Sequence, residues 1–422
     1  MLKKNLSKGV YIISGPNKIK LVSGEITSIA KKFDIGEEVF IPEGKKIPLE
    51  VEIPSVVEID NEITLNFLLS RTIPDDWDEV VEYLVLNKIN ALIIFGEVDT
   101  GKTFFSTYIT NKLIAKNIKP SVLDCDTGQS DIGPPSTLGL VVFNKPVLFM
   151  TELKPDKIYF VGSHSPSEHF LYYICGFTKL VNYGLKNSDI VIIDTPGWVL
   201  GDGGRMLRNS EIEILSALET NFAVVLLQRN KEIEHLVKSL PQNKVIRLTV
   251  SKKASPTSVE ERKKLREFVY KKYFSKIKKI EFKFEDISTD RVYFLTGQVL
   301  ENKTKNSNIL WIEQLSGFEG LYVISEKPLS EKEIEVLKKV YNIKKIKNVV
   351  ENEFKNVIVG LLNKDNELIC LGIIEKLDFK NKKISIFYPE NNDLNDVKII
   401  QFGSLRLTNE AEENGFVEPG IL

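Results

Sequence analysis

Cysteine, histidine and methionine are scarce in this chain of 422 residues, each occurring three times. The cysteines, Cys125, Cys175 and Cys370, have neither the spacing of a metal site nor that of a disulfide framework. Disulfides are rare in reducing compartments. We therefore expect a cytoplasmic protein.

Long apolar runs and an excess of one charge are also missing. No stretch approaches the length of a membrane-spanning helix, and the first residues lack the apolar core of a signal peptide, so we expect no membrane partner. The chain holds 57 basic and 58 acidic side chains, for a formal net charge of −1. This balance argues against a protein that is basic all over. Segment 252–279 is nevertheless locally basic, with eleven Lys or Arg against three Glu.

A complete phosphate-binding loop lies near the end of the first quarter of the chain. Residues 96–103 fit the pattern G-x-x-x-x-G-K-[ST], after an apolar run of strand length and before a helical pattern. Backbone N–H groups of such a loop and the following helix N-terminus bind phosphates. Lys102 is expected to reach the β- and γ-phosphates, and the Thr103 hydroxyl to ligate Mg²⁺. The predicted ATP site comprises Gly96, Glu97, Val98, Asp99, Thr100, Gly101, Lys102, Thr103 and Phe104.

The order of apolar patterns predicts three domains. Short strands and turns fill residues 1–72, strands and helices alternate over 73–275, and strands dominate again over 276–422. Helices are predicted at 231–240 and 256–274, among others. The predicted fold class is α/β. A P-loop NTPase domain with a mostly parallel sheet would lie between N-terminal and C-terminal mainly-β domains.

Two carboxylates lie at the end of the predicted strand at 121–125. Asp124 and Asp126 would lie at the carboxyl edge of the sheet, where ligands bind in open α/β folds. One of them can hold Mg²⁺ and the other can accept a proton from an attacking hydroxyl. The alternative is a capping or turn role, which is common for Asp at strand ends.

A third carboxylate, Asp194, ends another apolar strand and begins the sequence Asp-Thr-Pro-Gly-Trp. It is a further candidate for the magnesium side of the site. The same residues resemble a GTPase switch, but the nearest approach to a guanine-reading Asn-Lys-x-Asp, at 363–366, ends in Asn366. Trp198 is either a base-stacking residue or a core residue.

The basic segment carries Arg262 and Arg266 one turn apart on a predicted helix. Paired arginines on a mobile lid could clamp a migrating phosphoryl group. The alternative is a solvated basic helix.

Together these motifs resemble the polynucleotide (polyribonucleotide) 5′-hydroxyl kinases of the RNA-processing type, which include the kinase subunit of the pre-mRNA cleavage complex. Four motifs carry the resemblance, in the family's order. They are the phosphate loop 96–103, Asp-x-Gly-Gln at 126–129, Thr-x-Gly-Trp at 195–198, and the basic lid helix at 262–266.

The resemblance implies an ATP-dependent enzyme that phosphorylates 5′-OH ends of RNA, with DNA as a further candidate substrate. The implied catalytic residues are Lys102, Asp126, Arg262 and Arg266. Thr103 and Asp124 would organise Mg²⁺, and substrate contacts would come from Gln129, Thr195, Gly197 and Trp198. The implied partner is a nucleic acid with a 5′-OH end.

This chain departs from the family pattern in three places. Asp194 stands where many relatives have Asn, Glu97 puts an acid inside the anion-binding loop, and Lys263 and Lys264 leave the register of the lid arginines open. Two other functions compete with the kinase: a GTPase-like NTPase, and an ATP-bound, non-catalytic scaffold of an RNA-processing complex.

Overall fold

The computed structural model describes residues 1–252, 257–316, 319–418 and 421–422. Lys253 of the basic segment and Pro256, where the lid helix was predicted to begin, lie outside these ranges. Among the residues described, no helix is both long and apolar enough to cross a membrane.

An antiparallel sheet forms the N-terminal part of the chain. Two of its strands are much longer than the short strands that the sequence predicted, and they pair with each other along the middle of the sheet. Its strands are β1 (Leu2–Leu6), β2 (Gly9–Ser14), β3 (Asn17–Ser28), β4 (Lys31–Lys32), β5 (Glu38–Ile41), β6 (Lys46–Ile59) and β7 (Leu65–Leu68).

The helix α1 (Val80–Leu86) and a preceding turn connect this sheet to the central region. Trp77 in that turn is fully buried, and its ring meets the ring of Phe105 edge to face at 4.9 Å. Its indole N–H donates to the carbonyl of Thr249 (3.0 Å). These contacts therefore hold the connecting turn against the central region.

The central region is an α/β structure. Its sheet has the order β11-β10-β9-β12-β8-β13-β14, in which β9, β12, β8, β13 and β14 are parallel and β10 is antiparallel to both neighbours. Its elements are β8 (Ala91–Phe95), α2 (Lys102–Ala115), β9 (Pro120–Asp124), β10 (Thr137–Val142), β11 (Lys157–Phe160), α3 (Phe170–Asn187), β12 (Ile190–Asp194), α4 (Gly201–Ala217), β13 (Phe222–Gln228), β14 (Val245–Thr249) and α5 (Val259–Tyr273).

Alternate side chains of the parallel strands enter different cores. Leu92, Ile94 and Ile192 pack with α2 and the N-terminal sheet, whereas Ile93 and Ile193 pack with α3 and α4. Strands buried on both faces are continuous apolar runs, which is why the sequence predicted them well. Parallel pairing brings the carboxyl ends of β8, β9 and β12 to one edge.

The C-terminal part is mainly β. One sheet has the order β15-β23-β22-β21-β24-β16 with β25 paired to β24, and a second has the order β17-β18-β19-β20. The elements are β15 (Ile277–Lys283), β16 (Ser288–Asp290), β17 (Gln298–Val299), β18 (Ile309–Leu315), β19 (Gly320–Ser325), α6 (Glu331–Tyr341), β20 (Lys345–Val350), β21 (Val357–Leu362), β22 (Leu368–Asp378), β23 (Lys383–Pro389), β24 (Ile399–Leu407) and β25 (Glu413–Phe416).

The structure differs locally from what the sequence predicted. The helix predicted at 231–240 is wrong, because this segment forms only a short 3-10 turn at Glu234–Leu236. Ile233, Leu236 and Val237 are buried there, and their spacing imitates that of a helix. Strand β10 was not predicted. The predicted domain limits fall between β7 and α1 and between α5 and β15, and they stay predictions.

Candidate active site

The phosphate loop connects β8 to α2 at the carboxyl edge of the central sheet. Asp99 and Gly101 have positive φ angles of 59° and 87°, which curl the loop. A Cβ on Gly96 would lie 2.5 Å from the Thr100 hydroxyl and 2.9 Å from the carbonyl of Leu227. The first position of the loop therefore requires glycine.

The Lys102 side chain is buried and folded over this loop. Its Nζ donates to the carbonyls of Gly96 (3.0 Å) and Glu97 (2.9 Å). Burial lowers the pKa of Lys102, while the carboxylates of Asp194 and Asp126 raise it. Lys102, Asp126 and Asp194, which come from three segments of the chain, are thus electrostatically coupled.

The segment after β12 contacts both β8 and the phosphate loop. The Thr195 hydroxyl donates to the carbonyl of Ile94 (2.6 Å). A Cβ on Gly197 would lie 2.5 Å from Cγ2 and 2.6 Å from N of Val98. Thr195 and Gly197 therefore contact the strand and the loop that precede α2.

Two predicted site residues make apolar contacts. The Phe104 ring lies 6.1 Å from the ring of Trp77. Trp198 is half-buried, its ring rests on Gly203 of α4, and it packs against the core formed with α3 and α4. The structure therefore gives Trp198 a packing role and leaves part of its surface open.

Asp124 accepts a dense set of hydrogen bonds. Its Oδ1 accepts from the N–H of Asp126 (3.0 Å). Its Oδ2 accepts from the hydroxyl of Ser130 (3.2 Å) and the N–H groups of Asp131 (2.6 Å) and Ile132 (3.1 Å). Burial, and next the charge of Asp194, raises the pKa of Asp124. This carboxylate shapes the loop that follows β9.

Asp126 lies two residues further along this loop and is partly exposed. Its Oδ1 accepts from the N–H groups of Gly128 (3.0 Å) and Gln129 (2.9 Å). The Gln129 amide donates to the carbonyl of Arg262 (3.2 Å). Further on, Asp131 pairs with Lys45 of the N-terminal sheet (3.2 Å).

Asp194 lies at the end of β12, which is between β9 and β8. Burial raises its pKa to about 7, opposed by the charge of Lys102 and by an interaction with the Thr103 hydroxyl. Thr103, predicted to ligate the metal, thus lies beside Asp194. Among the described residues, no group of three or more His, Cys, Asp or Glu is arranged to hold a metal by itself.

A buried ion pair behind the phosphate loop was not predicted from the sequence. Arg208 and Glu211 of α4 have no exposed side-chain surface, and Arg208 Nη2 lies 2.9 Å from Glu211 Oε1. The guanidinium lies 5.4 Å from the ring centre of Phe95, and the Tyr173 hydroxyl donates to Glu211 (2.7 Å). Burial raises the pKa of Glu211 to about 7, against the charge of Arg208. Its Arg-x-x-Glu spacing was the only available signal.

The lid helix α5 separates its two predicted arginines. Arg262 contacts the loop after β9 that carries Asp126, the Asp126 loop, because its carbonyl accepts from the Gln129 amide. Arg266 instead forms a two-pronged ion pair with Glu413 of β25. The two arginines are therefore not brought together.

Comparison with known proteins identifies the family to which this chain belongs. The model of the mRNA cleavage and polyadenylation factor CLP1 P-loop family matches residues 96–276. A polyribonucleotide 5′-hydroxyl-kinase of Pyrococcus abyssi is 31% identical over 358 residues, which are 83% of this chain and 97% of that protein. The chain belongs to the polyribonucleotide 5′-hydroxyl-kinase family.

Other members of the kinase family and its structural neighbours agree. A polyribonucleotide 5′-hydroxyl-kinase of Pyrococcus furiosus is 29% identical over 83% of this chain and 97% of its own length. The structure of wild-type Clp1p in complex with Pcf11p matches with a TM-score of 0.66 at 14% identity, covering 96% of this chain and 97% of that one. The predicted family and fold class are thus confirmed, and the kinase family binds nucleotides through the phosphate loop.

Proposed function

We propose that this chain transfers the γ-phosphoryl group of ATP to the 5′-hydroxyl end of RNA. DNA is a second substrate class to be compared. The observation that carries the proposal is the meeting of the phosphate loop and the Asp126 loop at one edge of the sheet. The lid helix and the residues just before it touch both loops: Thr257 donates to Asp99 (2.8 Å), and Gln129 donates to the carbonyl of Arg262. A donor site and an acceptor site under one lid suit phosphoryl transfer.

Lys102 and Asp126 divide the chemistry in this proposal. Lys102 neutralises charge on the transferring phosphoryl group, and its burial strengthens that interaction. Asp126 orients the attacking hydroxyl and accepts its proton. Support comes from their electrostatic coupling across the site and from the partial exposure of Asp126.

For Mg²⁺ we propose Thr103 together with Asp194. The donor set fits, because hydroxyl and carboxylate oxygens are the ligands that Mg²⁺ prefers, with waters and substrate phosphates completing the shell. Asp194 already lies beside Thr103, whereas Asp124 is occupied by four donors. When bound, the ion would neutralise phosphate charge. The prediction that Asp124 holds the metal stays untested.

Trp198 and Gln129 are proposed substrate contacts. The open part of the Trp198 ring is suited to stacking on a terminal base, which contributes to single-strand binding without reading sequence. Gln129 lies between Asp126 and the lid. Thr195 and Gly197 are proposed to act through the phosphate loop.

The test uses ATP labelled on the γ-phosphate, offered with matched RNA and DNA oligomers that end in 5′-OH or 5′-phosphate. Label is expected on the 5′-OH oligomers alone, and the ratio of RNA to DNA labelling gives the preference. Lys102→Ala should abolish transfer. A protein that retains ATP without turnover would be a scaffold, and one that selects GTP would be a GTPase; either result contradicts the kinase.

A further inference from the structure

The lid helix α5 has two halves with different surroundings. In the C-terminal half, Tyr270 is fully buried and its hydroxyl donates to the Ser136 hydroxyl (3.2 Å). The Tyr273 hydroxyl accepts from the N–H of Leu371 in the C-terminal sheet (3.0 Å). In the N-terminal half, Val259 and Leu265 are 73% and 47% exposed. One end of the lid is therefore part of a core, and the other is more exposed.

Arg262 belongs to the exposed half. Its carbonyl accepts from Gln129 of the Asp126 loop, and Thr257, just before the helix, donates to Asp99 of the phosphate loop with both its N–H (2.8 Å) and its hydroxyl (3.2 Å). These contacts put the N-terminal end of the lid beside both loops, with Arg262 next to the Asp126 loop. Within the described part of the chain, its guanidinium has no ion-pair partner.

Arg266 is held elsewhere. Its Nε and Nη2 donate to Oε1 (2.6 Å) and Oε2 (3.2 Å) of Glu413, and the two side chains are only 14% and 9% exposed. The N–H of Glu413 donates to Glu267 (3.3 Å), and His164 Nε2 lies 3.9 Å from Glu413 Oε2. If Arg266 turned toward the phosphates, it would leave a largely buried carboxylate without its cation, which is strongly unfavourable.

We propose that Glu413 is a positioning residue for the lid: it holds Arg266, and through it α5, so that Arg262 is the lid arginine that meets the transferring phosphoryl group. The inference builds on the proposed function. It gives the C-terminal part of the chain a direct role in the reaction, and it divides the two lid arginines into one anchor and one charge donor.

The first experiment exchanges the charges of the pair. Arg266→Glu should lower kcat about 100-fold, because two carboxylates then face each other. Glu413→Gln removes the ion pair without adding repulsion and should lower kcat about tenfold. Arg266→Glu/Glu413→Arg should recover most of the loss in Arg266→Glu. Recovery is expected only if Arg266 acts through Glu413. If the double variant Arg266→Glu/Glu413→Arg is as slow as Arg266→Glu, then Arg266 itself meets the phosphates and the proposal is wrong.

The second experiment asks whether Glu413 acts through Arg262. Arg262→Ala should lower kcat about 1,000-fold, as expected for an arginine that stabilises phosphoryl transfer. Adding Glu413→Gln to Arg262→Ala should then cost less than about twofold. Full additivity of the two losses would overturn the link, since a merely structural role of Glu413 gives additive effects.

The matched control is the neighbouring ion pair, Lys271 with Glu412 (2.6 Å), whose side chains are 48% and 51% exposed. Glu412→Gln should change kcat less than about twofold, because exposed pairs contribute little. Amide hydrogen exchange supplies a readout that needs no activity. Glu413→Gln should speed the hydrogen exchange of backbone amides over residues 258–265, and Arg266→Glu/Glu413→Arg should restore the wild-type rate. Glu412→Gln should leave this rate unchanged.

These readouts separate the two proposals. If the wild-type protein transfers no label to 5′-OH RNA, the proposed function is wrong, whatever the hydrogen-exchange rates show. Unchanged hydrogen exchange in Glu413→Gln contradicts the positioning role, whatever the wild-type activity.

Discussion

At the scale of single residues, the site depends on close backbone approaches as much as on charged groups. Gly197 shows this most directly. It has no side chain where one would collide with Val98 of the phosphate loop, so the segment after β12 can press on the loop and fix its shape.

Gly197→Ala should therefore weaken ATP binding about tenfold, because the added methyl group would lie 2.6 Å from the backbone nitrogen of Val98 and the loop must shift. Titration with a fluorescent ATP analogue measures the effect, and the thermal midpoint of the free protein checks that folding is intact. Wild-type affinity in this variant would show that Gly197 does not constrain the loop.

Glu211 gives a prediction about pH. Its pKa is raised by burial from the ordinary 4.5 to about 7. The folded protein thus keeps a proton that the unfolded chain releases between these values, so the free energy of unfolding falls as pH rises through this window. Below pH 4.5 both states are protonated and the contribution is fully present.

Glu211→Gln removes this titration. Between pH 5 and 8, the fall in unfolding free energy should be smaller than in the wild type by about 2 kcal/mol. Urea unfolding at several pH values provides the comparison, in which the other titrating groups cancel. Parallel pH profiles for the two proteins would refute the assignment.

At the scale of elements, the lid helix begins with a complete capping box. The Ser258 hydroxyl accepts from the N–H of Glu261 (3.1 Å), and the Glu261 carboxylate accepts from the N–H of Ser258 (2.8 Å). This cap supports the half of α5 that carries Arg262, where few tertiary contacts help.

Ser258→Ala should cost about 1 kcal/mol of local helix stability. We expect faster amide exchange over residues 259–262 and a kcat lowered about threefold to tenfold, with global stability nearly unchanged. Ser330→Ala, which removes the same kind of box from α6, should leave kcat at its wild-type value. Equal effects of the two substitutions on kcat would contradict a role for the cap in the lid.

Elements and motifs were predictable from sequence where the information is local. The apolar runs of β8 and β12 and the phosphate loop each lie within a few residues, and the structure has them where they were expected. Strand β10 was missed because Gly139 interrupts its apolar run. Glycine is needed there, since a Cβ would overlap the carbonyl of Ile132.

The rest of the site is not local. Arg266 and Glu413 are 147 positions apart, and the position of Asp194 beside Thr103 depends on β12 inserting between β9 and β8. No spacing rule in a single sequence encodes such contacts. The resemblance to a family supplied the order of the motifs but not the partner of each side chain.

At the scale of the whole molecule, both flanking regions reach the site. Lys45 of the N-terminal sheet pairs with Asp131, and Glu413 of β25 holds the lid. Arg291, which follows β16, joins the C-terminal region to the central sheet. It donates to the carbonyls of Val161 (2.7 Å) and Phe160 (2.9 Å), and its guanidinium lies 3.8 Å from the centre of the Tyr172 ring.

Arg291→Ala should loosen this junction, because two carbonyls lose their donors and the cation–π contact is lost, at a cost of about 2–4 kcal/mol. Limited proteolysis should then cut more readily near residues 274–290. Arg406→Ala is the control, since Arg406 donates to the carbonyls of Asn352 and Lys355 within the C-terminal region. Identical digestion of the two variants would contradict a joining role for Arg291.

The embedded root of α5 also sets how far the lid can swing. From Arg266 to Val259 the helix rises about 10 Å, at 1.5 Å per residue. A tilt of about 20° around this anchored point moves the tip by only about 3 to 4 Å. For a tilt of this size the lid is thus a short lever, and its tip moves little relative to the phosphate loop, which Thr257 contacts. We expect nucleotide exchange to proceed without wide opening of the lid as long as this anchor holds.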